Sequence, residues 1–240
     1  MPIYKTKLKS RAEIAAGTMS FHFEKPEGFE FKAGQFGDFT LINPSETDAE
    51  GNIRGFSLAS APYEGDLMFA TRMRDTAFKR VLKTMEIGAE VSLDAPYGSF
   101  TLHNNTRIPA VFLTGGIGVT PVRSIVLQAA HDNLPHKIFL FYSNRRPEDA
   151  AFLDELVEAQ AKNPNYTFVG TMTEMEKSDQ KWEGETGYIT KDMLVKYIGD
   201  LTLPIYYVAG PAAMVTAMRK TLNEAGVDDD NIRTEEFSGY

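Results

Sequence analysis

Three stretches of this chain combine residue types and spacings that could do chemistry. The first is Arg54-Gly55-Phe56-Ser57. A guanidinium can grip a phosphate through two parallel hydrogen bonds. An aromatic ring beside it can lie against a flat ligand, and a hydroxyl can bond a ring nitrogen. The combination suits a flavin, although a strand with one surface arginine and one core phenylalanine has the same pattern. The second stretch is Thr114-Gly115-Gly116-Ile117-Gly118-Val119-Thr120-Pro121. Its glycines would let a planar ligand or a pyrophosphate approach the backbone, and a helix beginning there favours anions. The spacing is not G-x-G-x-x-G, so the standard dinucleotide fingerprint is absent. A tight strand-to-helix turn is the plainer alternative. The third stretch, Tyr207 to Met214, repeats the arrangement around Gly210-Pro211 and would form the second wall of one cleft.

Shorter signals surround these. Arg145-Arg146 follows a strand whose end would face an adenosine ribose. Two arginines there suit a 2′-phosphate, and a solvated charged turn is the alternative. Arg72-Met73-Arg74-Asp75-Thr76-Ala77-Phe78-Lys79 runs from a strand into a helix. The amides of Thr76 to Phe78 could hold a pyrophosphate, or the segment could be a capped helix with a basic face. Pro96-Tyr97-Gly98 reads as a turn. The chain closes on Thr234-Glu235-Glu236-Phe237-Ser238-Gly239-Tyr240, with aromatics directly after a strand.

The elements that must position these residues fall into two halves. Residues 4–103 show period-2 patterns such as Met19, Phe21 and Phe23 alternating with Ser20, His22 and Glu24. Many short strands with turns between them predict an antiparallel barrel or sandwich. Thr76 to Lys83 is the one helical piece there, and Ser99 to Leu102 reads as the last strand. A polar junction, His103 to Arg107, follows. Beyond it, Ala110 to Leu113 is a continuous apolar run of the kind found in buried parallel strands. Strands at about 137–142, 166–170, 205–209 and 231–237 alternate with helices from about 119, 147, 191 and 211. Residues 171–188 read as a long polar loop holding Trp182. This predicts an α/β, Rossmann-like domain with a mostly parallel sheet. The expected domains are therefore 1–103 and 104–240.

Composition narrows the function classes. The 240 residues contain no cysteine, which excludes disulfides, thiol nucleophiles and thiolate-held iron–sulfur clusters within them. Electron chemistry would need an organic cofactor. The four histidines have no metal-ligand spacing, so no metal is expected. A net charge of −8 argues against a nucleic-acid partner. No apolar run approaches the length that spans a bilayer, and the N-terminus has no apolar signal region. The expectation is a cytoplasmic protein without a membrane partner. G-x-S-x-G and P-loop motifs are absent, which removes support for acyl-transfer hydrolysis and for P-loop nucleotide chemistry.

Taken in order, Arg54-Gly55-Phe56-Ser57, Pro96-Tyr97-Gly98, Gly115 to Pro121, Gly210-Pro211 with Met214, and Glu235-Glu236-Phe237 resemble the ferredoxin–NADP reductase superfamily. The resemblance covers nearly the whole chain. It implies a barrel that binds FAD, an α/β domain that binds NADPH or NADH, and hydride transfer to flavin N5. It implies that Arg54 contacts the FAD pyrophosphate, with Gly55 beside it, that Phe56 packs on the isoalloxazine and that Ser57 reaches N5. Thr71, Arg72, Met73 and Arg74, with Thr76, Ala77 and Phe78, would lie along the ribityl chain and phosphates. Gly116, Gly118, Thr120 and Pro121 would admit the nicotinamide and pyrophosphate, with Gly210 and Pro211 on the nicotinamide side. Glu235 or Glu236 would be the acidic group near the ring, and Phe237 or Tyr240 would shield the flavin. The helix after Arg74 departs from the family in lacking its frequent Gly-x-x-Ser pattern. The implied catalytic set is Ser57, Glu235 and Phe237.

The implied partner is a separate electron carrier, a ferredoxin, flavodoxin or oxygenase component. Lys5, Lys7, Lys9, Arg72, Arg74, Lys79, Arg80 and Lys83 could form a basic docking face, or a scattered solvated surface. Two alternatives stand beside this reading. One is an NAD(P)H-dependent reductase of a small molecule such as free flavin or a quinone. The other is a non-catalytic nucleotide-binding regulatory protein.

Overall fold

The structure is a computed structural model and describes residues 3–237. Its first half is a six-stranded sheet made of β1 (Ile3–Ala15), β2 (Thr18–Glu24), β3 (Phe36–Leu41), β4 (Ile53–Ser57), β5 (Asp66–Arg72) and β6 (Glu90–Tyr97). The order is β4-β3-β6-β1-β2-β5, and every pairing is antiparallel. The alternation seen in the sequence is the reason for the sheet's one apolar face. Phe39 and Leu41 of β3 point inward with Val91, Leu93 and Ala95 of β6. Phe21, Phe23 and Phe69 complete the core, and helix α1 (Ala77–Thr84) caps it with Phe78 and Leu82. Each such side chain contributes about 1.5–3 kcal/mol on burial. The two sheet edges curl together, and the Ala59 amide donates to the Met68 carbonyl at 2.7 Å just past β4.

The second half is a six-stranded parallel sheet. Its elements are β7 (Ala110–Gly115), α2 (Thr120–His131), β8 (Ile138–Asn144), α3 (Leu153–Lys162), β9 (Tyr166–Met172), β10 (Glu185–Thr186), α4 (Lys191–Ile198), β11 (Ile205–Pro211), α5 (Ala212–Glu224) and β12 (Ile232–Phe237). The order β10-β9-β8-β7-β11-β12 places β7 at the switch point, with later strands added on both sides. That is where open α/β sheets form a ligand crevice. All six residues of β7 are buried, as a central parallel strand requires.

Three expectations about elements change. Ser99 to Leu102 is not a strand; the last strand of the first sheet ends at Tyr97. Pro147 opens only a 3-10 turn, Pro147–Asp149, and the helix begins at Leu153 behind Phe152, which is left-handed at φ 59°. The acidic residues of that turn are consumed by Arg146 rather than by a helix end. Residues 171–188 are not simply a loop. Thr171 and Met172 extend β9 and pair with β10, while Trp182 covers Gly170 and donates Nε1–H to the Glu185 carbonyl at 2.8 Å.

The two sheets are locked together beneath the crevice by α2. Arg123, only 5% exposed, bonds Glu64 at 2.8 Å, Glu155 at 2.7 Å and the Ala59 carbonyl at 2.7 Å. Ser124 donates to the Ser60 carbonyl at 2.7 Å. Among the described residues, no helix is long and apolar enough to cross a membrane.

Candidate functional site

A cleft of about 700 Å³ opens between the two sheets. It draws residues from several places in the chain, Phe36, Glu50 and Gly98 to Phe100 among them. Strand β4 supplies Arg54, Gly55, Phe56 and Ser57. The end of β5 and the start of α1 supply Thr71, Arg72 and Thr76. The turn after β7 supplies Ile117 and Thr120, and β12 supplies Thr234, Glu235, Glu236 and Phe237.

One end of the cleft joins residues 178 apart in sequence. The Ser57 hydroxyl donates to Glu235 Oε1 at 3.0 Å. Strand periodicity explains how Glu235 gets there. On β12, Arg233, Glu235 and Phe237 alternate with buried Ile232 and exposed Thr234 and Glu236. Arg233 donates to the Thr101 carbonyl at 2.9 Å and to the Tyr207 hydroxyl at 3.1 Å, which pins β12 against the segment leaving the first sheet. His103 adds its amide to the same hydroxyl at 2.8 Å. Burial raises the Glu235 carboxyl above the usual carboxylate range, and the Ser57 hydrogen bond partly offsets this. A carboxyl so placed can hold or pass a proton.

The other end is cationic. Arg54, Arg72, Arg74 and Lys79 all line it. The Lys79 ammonium donates to the Arg72 carbonyl at 2.7 Å. Burial lowers its pKa, with Arg74 and Arg54 acting in the same direction. Arg54 lies over the Phe78 ring, 5.3 Å from its centroid. Between the two ends, one face of the Phe56 ring stacks on Phe69 at 4.1 Å and 2°.

Several residues expected in the site play different parts. Ala77 and Phe78 are buried in the barrel core, and Met73 packs against it. The Ala77 amide is already bonded to Asp48 Oδ2 at 3.0 Å. Gly116, Gly118, Pro121, Gly210 and Pro211 do not line the cleft. Gly116 takes φ 52° where the strand turns into the 3-10 turn Gly116–Val119, a conformation that favours glycine. A Cβ on Gly118 would sit 2.4 Å from the Ala209 carbonyl oxygen, so this glycine lets the two strand-end turns touch. Arg146 is bound by Asp149 at 2.9 Å, which leaves exposed Arg145 without an ion pair among the described residues. Of the basic docking face, Lys5, Lys9 and Arg80 are paired with carboxylates. Tyr240 lies outside the described residues.

Sequence reasoning placed Arg74 and Ile117 beside the ligand but missed the cleft positions of Lys79, Phe36 and Phe100. Lys79 had a signal: it stands three residues after the helix cap Thr76, in the first turn of the helix. Phe36 and Phe100 had none, because each looks like an ordinary core aromatic.

Residues 112–220 match the family described as the oxidoreductase NAD-binding domain. The reductase component of propane 2-monooxygenase from Rhodococcus jostii is 28% identical over 221 residues, 89% of this chain and 57% of that protein. One component of the Na(+)-translocating NADH-quinone reductase of Serratia proteamaculans is 27% identical over 232 residues, 90% of this chain and 56% of that protein. The chain thus spans a little over half the length of these curated relatives. A ferredoxin NADP+ reductase from Neisseria gonorrhoeae, solved with FAD and NADP, matches with a TM-score of 0.79 at 21% identity over 98% of each chain. The cytochrome P450 reductase of Amycolatopsis matches with a TM-score of 0.82 at 22% identity, over 98% of this chain and 70% of that one. The chain shares the two-domain fold of the ferredoxin–NADP reductases that its motifs resembled.

Proposed function

We propose that this chain is a member of the ferredoxin–NADP reductase superfamily, one that takes a hydride from NADPH or NADH onto bound FAD and passes electrons to a separate acceptor. The observation that carries the reading is the Ser57–Glu235 hydrogen bond of 3.0 Å at one end of a cleft whose other end holds four cations. The donor set fits FAD. Arg54, Arg74 and Lys79 would hold the diphosphate, with Arg72 beside them. Phe56 would meet the ring system, and Gly55, Thr71 and Thr76 would line its path. FAD supplies the conversion of a two-electron hydride into single electrons.

The chain's own residues orient and insulate. Ser57 would donate toward the ring nitrogen that takes the hydride, with Glu235 behind it to supply or store the proton. Phe237, half-buried at the cleft wall, would exclude water. The touching turns at Gly116–Thr120 and Gly210-Pro211 would bring the nicotinamide up, and Arg145 would favour a 2′-phosphate. In this reading residues 1–103 form the flavin module and 104–240 the nucleotide module. In this reading the acceptor is a separate ferredoxin, flavodoxin or oxygenase component, and the 240 residues themselves hold no thiolate for a cluster.

Purified protein incubated with FAD should retain about one equivalent, and NADPH should bleach its visible absorbance without oxygen. Failure to take up any flavin would end the reading. Turnover with free flavin and quinone but with no carrier protein would replace the separate protein acceptor by a small molecule.

A further inference from the structure

The loop between β3 and β4 carries Glu46, Asp48 and Glu50 in five residues, and it folds onto the cationic end of the cleft. Glu50 lines the cleft itself. Its Oε2 accepts from Arg54 Nη2 at 2.8 Å, and its backbone carbonyl accepts from Arg54 Nη1 at 2.9 Å. Asp48 Oδ1 stands 3.5 Å from the same Nη2. Its Oδ2 takes the Ala77 amide at 3.0 Å. The guanidinium that faces the cleft is therefore already engaged by carboxylate oxygens, which present the same negative, acceptor-only chemistry as phosphate oxygens. Among the described residues, no carboxylate pairs with Arg72, Arg74 or Lys79. The loop thus singles out one of four cations.

We propose that this acidic loop is a built-in competitor for the flavin diphosphate, and that Glu50 and Asp48 set how tightly the dinucleotide is held. The inference rests on the flavin reading above. A diphosphate reaching Arg54 must displace the two carboxylates or share the guanidinium with them, and like charge opposes either arrangement. Displacement is sterically open. The Glu50 side chain is 70% exposed, and the following Gly51, at φ 75°, has nothing within 4 Å of its Cβ direction. The cost is modest because exposed ion pairs are weak. It makes the flavin exchangeable rather than permanently bound. A ligand without a diphosphate does not meet the competitor.

The test is titration of flavin-free protein with FAD and, separately, with riboflavin, followed by flavin fluorescence. Wild type is compared with Glu50→Gln and with Glu50→Gln/Asp48→Asn. Asparagine keeps the acceptor for the Ala77 amide, and the single variant changes only an exposed side chain, so a folded comparison is available. FAD affinity should rise roughly fivefold per carboxylate neutralised, with riboflavin unchanged. Weaker or equal FAD binding in both variants, with wild type binding normally, would overturn the competitor and leave the flavin reading intact. An equal gain for riboflavin would also overturn it, since the effect would not involve the diphosphate. Absence of flavin binding in all three proteins would remove the flavin reading and this inference with it.

Discussion

The two ends of the cleft handle charge in opposite ways. At the Ser57–Glu235 end a single carboxyl is drawn out of water, held by one neutral donor, and pushed toward its protonated form. At the Arg54 end four cations and two carboxylates crowd together in partial contact with solvent. The first arrangement concentrates a proton at one atom. The second gathers a field that suits a multiply charged ligand and tolerates rearrangement. The difference follows from burial: desolvation dominates an isolated group, whereas screening softens a crowded exposed one. In the proposed reading it also separates tasks within one cavity, proton handling where the two sheets meet and anion holding on the barrel side alone.

The largest effect is expected from breaking the first end. Glu235→Ala should lower hydride-transfer turnover about 100-fold while FAD stays bound, measured by stopped-flow reduction with NADPH. Unchanged reduction would mean that the Ser57–Glu235 pair is structural. Breaking the second end should reverse the pattern. Arg54→Ala should weaken FAD about tenfold or more by removing charge-assisted hydrogen bonds, with little loss of turnover at saturating flavin. Full retention of FAD would reduce Arg54 to a surface residue over Phe78. A smaller effect is expected outside both ends. Arg145→Ala should lower the NADPH-to-NADH efficiency ratio a few-fold, and Arg146→Ala should change it less, because Asp149 already holds that guanidinium. Equal ratios in all three proteins would remove Arg145 from nucleotide selection.

The smallest effect sharpens the comparison through pH. Glu235 has a folded pKa raised above its unfolded value of about 4.5, chiefly by burial. Between those two values the native state binds more protons than the unfolded chain. Stability therefore falls as pH rises through that window, and the loss is complete above the folded pKa. Glu235→Gln should remove this component and melt higher than wild type at neutral pH, with the difference vanishing in acid. Thermal unfolding followed from pH 4 to 8 would measure it. A difference independent of pH would trace the change to packing.

Much of this arrangement could be read from residue patterns. Alternation in Met19–Glu24 and the continuous run Ala110–Leu113 distinguish an antiparallel sheet with one wet face from a parallel sheet covered on both. Glycines after β7 and at the end of β11 mark where strands turn into helices. Thr76 and Thr190 announce helix starts, and the side chain of each caps its helix. Patterns misled where a local signal was used for something else. Pro147-Glu148-Asp149 has the composition of a helix start, yet its acids serve Arg146 and the helix waits for Leu153.

The sequence by itself determined the two sheet types, the chemical inventory without thiols, and which short motifs could meet a dinucleotide. These depend on periodicity and residue type, which are local properties of a chain. Only the tertiary structure decided that Ser57 meets Glu235, that Lys79 and Arg74 join Arg54 in one cleft, and that Glu50 and Asp48 already engage that arginine. Those are distances between residues brought together by packing, and no local pattern encodes them. Gly118 shows the same division. Its identity was conspicuous in the sequence, but its reason is the Ala209 carbonyl of a strand about ninety residues away, against which any side chain would collide.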